Sequence, residues 1–132
     1  MAFPFVAELV ARVYAAIGRG DIPEVIDLTT DDVEIVFPGP ATIPFAGTYH
    51  ATDGVTELFQ TIGASVEISR FEPRESIVQD DQAVVLGSEH LTAKPTGRSW
   101  KTDWAMVWTI RDGKVPRLRQ FHETEAPAAA FR

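Results

Sequence analysis

The chain has 132 residues, of which 45% are hydrophobic and 23% charged, a composition that is typical of a globular domain and excludes wholesale disorder. Its formal net charge of −7 argues against binding to nucleic acid or to an anionic membrane. The lack of cysteine excludes disulfides, thiolate nucleophiles and cysteine-ligated metal sites. Because no apolar run reaches about 18 residues and the first residues do not resemble a signal peptide, we expect a soluble cytoplasmic protein.

Three helices are predicted in the first half of the chain. The apolar face of the first, which ends at Gly18 and Gly20, consists of Val6, Leu9, Val10, Val13 and Ile17. Asp21 is suited to cap a second, short helix that we expect to end at Asp31–Asp32. The third is expected between a Thr52 cap and Gly63, with an apolar face of Val55, Leu58, Phe59 and Ile62.

The strands are predicted mainly in the second half. A short one, with alternating Val33, Ile35 and Phe37, precedes a proline-rich segment that we interpret as a loop over residues 36–52. After residue 64 the apolar pattern has period two, and it predicts further strands that include residues 83–93, 99–110 and 114–124. Helices followed by antiparallel strands indicate an α+β domain in which the helices cover one face of the sheet.

Six short motifs resemble, in their order and spacing, the nuclear transport factor 2-like superfamily, and in particular its SnoaL-like branch, which is related to ketosteroid isomerase. The motifs are Gly20–Asp21, Asp31–Asp32–Val33, Phe37–Pro38–Gly39, Phe45–Ala46–Gly47–Thr48–Tyr49, Thr96–Gly97–Arg98 and Asp112–Gly113–Lys114. The resemblance covers nearly the whole chain and implies a single domain over residues 1–132. It implies a cone-shaped, curved antiparallel sheet around a long amino-terminal helix, with two shorter helices and an apolar cavity. It also implies a homodimer through the outer face of the sheet.

Strand pairing places one carboxylate in this cavity. A two-residue turn at Thr96–Gly97 would put Glu89 opposite Trp104, and it would pair Gly87 with Met106 and Val85 with Trp108. A carboxylate among such neighbours would be desolvated, which raises its pKa and makes Glu89 a candidate proton-transfer group. A register slip of one residue would instead turn Glu89 to solvent.

The last hairpin adds further candidates on the same face. A turn at Asp112–Gly113 with a β-bulge would align Leu118, Gln120 and His122 with Trp104 and Met106. We expect His122 to be a second proton-transfer group, and Gln120 and Tyr14 to be hydrogen-bond donors. The predicted ligand pocket consists of Tyr14, Phe37, Trp104, Met106, Trp108 and Leu118. Trp100, Trp104 and Trp108 lie on one side of the predicted strand 99–110. This tryptophan stripe fits either a pocket wall or ordinary core packing.

A cross-strand pair of His90 and Asp103 is the competing site. On the same register it faces outward, as a surface or dimer-interface pair, and becomes the candidate site if the register slips by one. His50 is expected near the mouth of the cavity. The spacing of the three histidines does not suggest a metal site, and acid/base chemistry at Glu89 and His122 requires no cofactor.

The resemblance to ketosteroid isomerase does not extend to that enzyme's polar residues. Its general base corresponds to Phe37, its oxyanion-hole tyrosine to Val13 and its protonated aspartate to Met106, so we do not expect steroid isomerisation by that mechanism. Two hypotheses follow. One is a cofactor-free isomerase, cyclase or lyase that acts on a small apolar carbonyl compound, and the other is a non-catalytic module for a lipophilic ligand or for dimerisation. The dimer surface is predicted at Val84, Leu86, Ala105 and Val107.

Overall fold

The computed structural model describes residues 3–132. Within that range the chain forms four helices and six strands. The helices are α1 (Phe3–Arg19), α2 (Ile22–Leu28), α3 (Ala51–Ser65) and α4 (Glu125–Ala130). The strands are β1 (Thr29–Phe37), β2 (Gly47–His50), β3 (Val66–Gln79), β4 (Gln82–Ala93), β5 (Ser99–Arg111) and β6 (Lys114–His122). The predicted α+β class is confirmed.

The six strands form one curved, open sheet in the order β2-β1-β6-β5-β4-β3. Strands β1 and β6 pair in parallel, and every other neighbouring pair is antiparallel. Helix α1 packs on β3 and β4, whereas α3 packs on β1 and β2. We call the face towards the helices the inner face, and the core lies between it and α1 to α3.

The predicted boundaries of the second and third helices are only partly correct. The Asp21 side chain accepts a hydrogen bond from the backbone N–H of Glu24 and caps α2, as predicted. Helix α2 nevertheless ends at Leu28, and Asp31–Asp32 lies within β1, because the chain enters the parallel pairing with β6 at Thr29. Gly63 does not end the third helix, which continues to Ser65.

Three further expectations from the sequence were wrong. The segment 36–52 is not all loop, since it contains the end of β1, the short strand β2 and the start of α3. Thr52 does not cap α3, because the N-cap residue is His50 and its side chain makes no capping hydrogen bond. The sequence also indicates an interruption at Pro73, but strand β3 continues through this residue, which pairs with Gly87; the register shifts just after it, where a bulge leaves Arg74 without a partner in β4.

The turn between β4 and β5 differs from the predicted one. Four residues, 94–97, form it: the N–H of Gly97 donates to the carbonyl of Ala93, and the N–H of Ala93 donates to the carbonyl of Arg98. Every pairing along the two strands is therefore displaced by two positions from the prediction. The observed partners are Glu89 with Thr102, Gly87 with Trp104, Val85 with Met106 and His90 with Lys101. A shift of two keeps each side chain on its predicted face, because the period of a strand is two.

The hairpin between β5 and β6 agrees with the prediction. Asp112 and Gly113 both have positive φ angles, as a two-residue hairpin turn of this kind requires. The register shifts between Thr109 and Arg111, so a bulge follows the turn. The resulting pairs are Trp104 with His122, Met106 with Gln120 and Trp108 with Leu118. The predicted alignment of these inner-face residues is confirmed.

Helix α4 was not predicted, and it packs across the far end of the sheet. The hydroxyl of Thr96 donates to the carbonyl of Ala130, and Arg98 contacts the carbonyl of Ala129. Phe131 adds edge-on contacts to the rings of Phe45 and Trp100. In the described residues, no helix is both long and apolar enough to cross a membrane.

Candidate functional site

A pocket of about 480 Å³ lies between the inner face of the sheet and helices α1 to α3. Residues from β1, β3, β4, β5 and β6 form its sheet side, and α1, α2 and α3 contribute apolar side chains opposite. Of the described residues that line it, those with polar side chains are Thr29, Glu89, Gln120 and His122. The Thr29 hydroxyl donates to the carbonyl of Ile26, which leaves three polar groups to act on a bound molecule.

Glu89 is half-buried on the inner face of β4, between Phe71 of β3 and Thr102 of β5. Among the residues that the structure describes, none forms an ion pair with its carboxyl or donates a hydrogen bond to it. Burial alone raises the pKa of Glu89 from its usual 4.5 to about 7. A carboxyl group with this pKa can both accept and release a proton near neutral pH.

Gln120 and His122 form a hydrogen-bonded pair on β6. The amide Nε2 of Gln120 lies 3.0 Å from Nδ1 of His122, and Gln120 is almost fully buried. With the amide N–H as donor, Nδ1 accepts and the ring proton resides on Nε2. Burial lowers the pKa of His122, and the charge of Glu123 partly offsets this. The structure therefore favours a neutral imidazole in one tautomer.

Tyr14 is placed differently from the sequence prediction. It does not line the pocket, because its ring packs behind Met106 and Trp108. Its hydroxyl donates to Sδ of Met106 at 3.2 Å and accepts the indole N–H of Trp108 at 3.0 Å. Burial raises the pKa of this phenol. With its proton engaged, Tyr14 supports the pocket wall rather than donating into the pocket.

Trp104 is also outside the lining of this pocket, contrary to the prediction. Its ring stacks on Phe71 with a centroid separation of 5.0 Å and on Tyr14 at 6.0 Å. Its indole N–H has no hydrogen-bond partner among the described residues. The indole ring lies directly over Gly87, and any side chain at position 87 would collide with the ring. Trp104 therefore acts mainly as core packing, one of the two interpretations left open by the sequence.

The other predicted pocket residues do line it. Phe37, Met106, Trp108 and Leu118 all contribute to the wall. Val13 does so as well, so all three apolar residues that the resemblance matched to polar residues of ketosteroid isomerase, Val13, Phe37 and Met106, line the pocket.

Sequence reasoning missed several lining residues on β3 and α4. Ile68 and Phe71 both face the pocket although they are three positions apart, because a register shift between Ile68 and Arg70 breaks the alternation of β3. Pro127 of α4 and Trp100 of β5 close another part of the wall. Trp100 belongs to the tryptophan stripe for which the sequence left open a pocket wall, whereas no period-two signal marks Phe71.

The competing histidine site is not assembled. His90 lies opposite Lys101 and Asp103 opposite Ser88, because the longer turn displaces the predicted pairing by two residues. His90 and Asp103 border a groove on the outer side of the sheet. His50 is exposed at the start of α3 and does not line the pocket. Over residues 3–132, no three His, Asp or Glu side chains come together as a metal ion would require.

These features define the class of protein to which the chain belongs. Its architecture is the nuclear transport factor 2-like fold. A crystal structure of a nuclear transport factor 2-like protein from Burkholderia xenovorans matches it with a TM-score of 0.90 and 32% identity, covering 98% of this chain and 97% of that chain. Within that class, the family model described as the SnoaL-like domain matches residues 10–118. The chain belongs to the SnoaL-like domain family.

Two further relatives are similar along most of their length. The crystal structure of TerC, co-crystallised with polyporic acid, matches with a TM-score of 0.84 and 27% identity, covering 96% of this chain and 98% of TerC. An uncharacterized protein of Mycobacterium tuberculosis is 26% identical over 124 residues, which are 94% of this chain and 93% of that protein. The family and its fold are thus established for nearly the whole chain.

Proposed function

We propose that the pocket binds a small, largely apolar carbonyl compound, that Glu89 transfers a proton on it, and that His122 acts as the hydrogen-bonding acid, without a cofactor. The observation that carries this proposal is a carboxyl group inside an apolar pocket with a pKa of about 7. The co-crystallisation of TerC, a similar structure, with polyporic acid supports a small-molecule ligand for this chain. The reaction class is isomerisation, cyclisation or elimination initiated next to a carbonyl group.

In the proposed mechanism the Glu89 carboxylate accepts a proton from the carbon next to the carbonyl group. The electron pair of the broken C–H bond moves to the carbonyl oxygen, where the Nε2–H of His122 stabilises the developing negative charge by a hydrogen bond. Return of the proton from Glu89 to a different carbon completes an isomerisation. Gln120 holds the imidazole in the donor tautomer, so its role is exerted through His122.

Enolisation of a simple ketone tests this proposal. The probe is 2-tetralone in D₂O, and NMR follows deuterium incorporation at the carbon next to the carbonyl group. We expect the protein to accelerate exchange and Glu89→Gln to lower the accelerated rate by roughly 100-fold. Glu8→Gln, which removes an equal charge from an exposed position on α1, is the matched control and should leave the rate unchanged. An unchanged rate in Glu89→Gln would contradict the role of Glu89 as base.

A non-catalytic binding module is the second candidate. It is favoured by the apolar residues Val13, Phe37 and Met106 at the positions that carry the chemistry in ketosteroid isomerase. The same experiment distinguishes the two functions. Binding of 2-tetralone without accelerated exchange at any pH from 6 to 9 would support the binding module and contradict the enzyme.

We also propose a homodimer that forms through the outer face of the sheet. An apolar patch, which we call the outer patch, consists of Ile77, Val84, Leu86, Ala105, Val107 and Phe121. Ile77 and Phe121 are 58% and 49% exposed in the single chain. A contiguous apolar surface on four adjacent strands is a typical protein–protein contact, and a second copy presents an identical surface to it.

A further inference from the structure

The charges of the pocket are unbalanced. Glu89 and His122 are its ionisable lining residues, and within residues 3–132 no Lys or Arg side chain lines it. The pair with Gln120 and the burial of the imidazole favour the neutral form of His122. When Glu89 is ionised, the pocket therefore contains one negative charge and no fixed positive charge.

Nearby cations do not compensate for this charge. Glu89 is also among the residues that line a second groove, together with Arg70, Arg74 and Lys101. Arg70 and Arg74 are directed to Glu72, at 2.8 Å and 3.7 Å respectively. Lys101 lies opposite His90, one position along β4 from Glu89 and on the other face of the sheet. Burial is the cause of the raised pKa of Glu89, and no cation lowers it.

The polar groups that are available to a ligand also lie on one side of the pocket, because the Thr29 hydroxyl is bonded to the carbonyl of Ile26. Glu89 comes from β4, and Gln120 and His122 come from β6, whereas α1, α2 and α3 supply Val13, Ile17, Val25, Leu58, Phe59 and Ile62. A ligand with one polar end is better accommodated with that end towards β4 and β6, where it can form hydrogen bonds. Its polar end then meets a carboxyl group, an imidazole N–H and a buried amide.

We propose that this pocket selects uncharged carbonyl ligands and excludes anionic ligands of the same shape, and that Glu89 is the residue that determines this selectivity. The inference rests on the proposed function and adds the charge class of the ligand. A ligand carboxylate would be desolvated next to Glu89 without a cation to pair with. Binding would then require protonation of Glu89, which becomes costly above the pKa of Glu89, or protonation of the ligand, which becomes costly above the ligand's own, lower pKa. A ketone or an unionised phenol carries no such penalty.

A pair of nearly isosteric probes tests the inference: 2-acetylnaphthalene, which is neutral, and 2-naphthoate, which is anionic. Equilibrium dialysis at pH 8.5, where Glu89 is ionised, gives both dissociation constants. We expect the ketone to bind at least about tenfold more tightly than the carboxylate, a difference of roughly 1.4 kcal/mol. Because an apolar wall alone also favours the ketone, the decisive measurement is the change in this ratio in Glu89→Gln. We expect it to fall by about fivefold or more, mainly through tighter binding of 2-naphthoate.

Glu8→Gln has the same net charge as Glu89→Gln and should retain the wild-type ratio, which separates local from overall electrostatics. Equal binding of the two probes to the wild-type protein would overturn the inference and leave the proposed apolar carbonyl site intact. A ratio that is unchanged by Glu89→Gln would equally overturn it, since the wall and not Glu89 would then exclude the anion. Binding of neither probe would contradict the proposed function, and the inference would fail with it.

Discussion

Gly87 lies directly opposite Trp104 in the β4–β5 ladder, and the indole ring occupies the space above the glycine that a side chain would fill. A Cβ atom at this position would overlap Cζ2 and Cη2 of Trp104 and the backbone carbonyl oxygen of Glu72. The absence of a side chain at Gly87 thus permits the stack of Trp104 on Phe71, and Phe71 forms the pocket wall beside Glu89.

The first prediction concerns this contact. Gly87→Ala should lower the free energy of unfolding by roughly 1–3 kcal/mol, because the core must shift to admit a methyl group. Gly63→Ala is the matched control: Gly63 lies within α3 with no atom near its Cβ position, so alanine there should be neutral or slightly stabilising. Urea unfolding measures both. Equal effects of the two substitutions would contradict the packing role of Gly87.

The second prediction concerns the pair of Gln120 and His122. Gln120→Glu replaces the amide by a carboxylate that can accept a hydrogen bond from a protonated ring, so the pKa of His122 should rise. Gln120→Leu removes the donor to Nδ1, and a larger fraction of the neutral ring should then carry its proton on Nδ1. Nitrogen-15 chemical shifts of the imidazole report both quantities. Identical tautomer populations in the wild type and in Gln120→Leu would show that Gln120 does not position the ring.

The third prediction concerns the outer patch. Val107→Lys should weaken self-association, because it places a charge in the middle of an apolar contact, and sedimentation equilibrium at micromolar concentration measures this. Ligand binding in the pocket should persist, since Val107 is on the opposite face of β5 from Met106. Gln60→Lys on the exposed side of α3 serves as a control for the added charge. A wild-type protein that sediments as a monomer would contradict the proposed dimer.

The sequence allowed the inner face of β4 to β6 to be predicted although the turn between β4 and β5 was predicted two residues too short. Period two explains why: an error of two residues changes the partner of Glu89 from Trp104 to Thr102 but leaves Glu89 on the same face. The same error made the predicted pair of His90 and Asp103 wrong, because that prediction required the two residues to be directly opposite each other and not merely on the same face of the sheet.

The errors in predicting the pocket lining have a different cause. Ile68 and Phe71 share a face only because a bulge adds a residue between them, and apolar periodicity cannot reveal an offset of this kind. Tyr14 was predicted to be a pocket donor because it borders the apolar stripe of α1. Val13 and Tyr14 are adjacent in the helix and are therefore rotated by roughly 100° from each other about its axis. Val13 lines the pocket and Tyr14 lies behind it because tertiary packing sets the rotation of α1 about its axis.

The fourth prediction concerns the dependence of stability on pH. The pKa of Glu89 is higher in the folded state than its usual 4.5, so the folded protein binds this proton more tightly than the unfolded chain. The resulting stabilisation is complete below pH 4.5 and is lost as the pH rises to about 7. The wild type should lose about 3 kcal/mol relative to Glu89→Gln over this range. Urea unfolding of both proteins from pH 4 to pH 8.5 measures the difference.

The comparison with Glu89→Gln is needed because titration of His122 changes the free energy of unfolding with pH in the opposite direction to titration of Glu89. Its pKa is lower in the folded state than its usual 6.5, so protonation of the unfolded chain reduces stability as the pH falls below that value. This contribution is common to the wild type and Glu89→Gln and cancels in their difference. A constant difference in unfolding free energy from pH 4 to pH 8.5 would show that Glu89 has the same pKa in both states.

The central claim is that Glu89 is a desolvated carboxyl group in an apolar pocket, poised to exchange a proton near neutral pH. The most direct measurement is a carbon-13 NMR titration of the glutamate side-chain carboxyls, with the Glu89 resonance assigned by its disappearance in Glu89→Gln. The structure predicts an apparent pKa of about 7 for this resonance. Titration at the usual value of 4.5 would place the carboxyl in water and contradict the account.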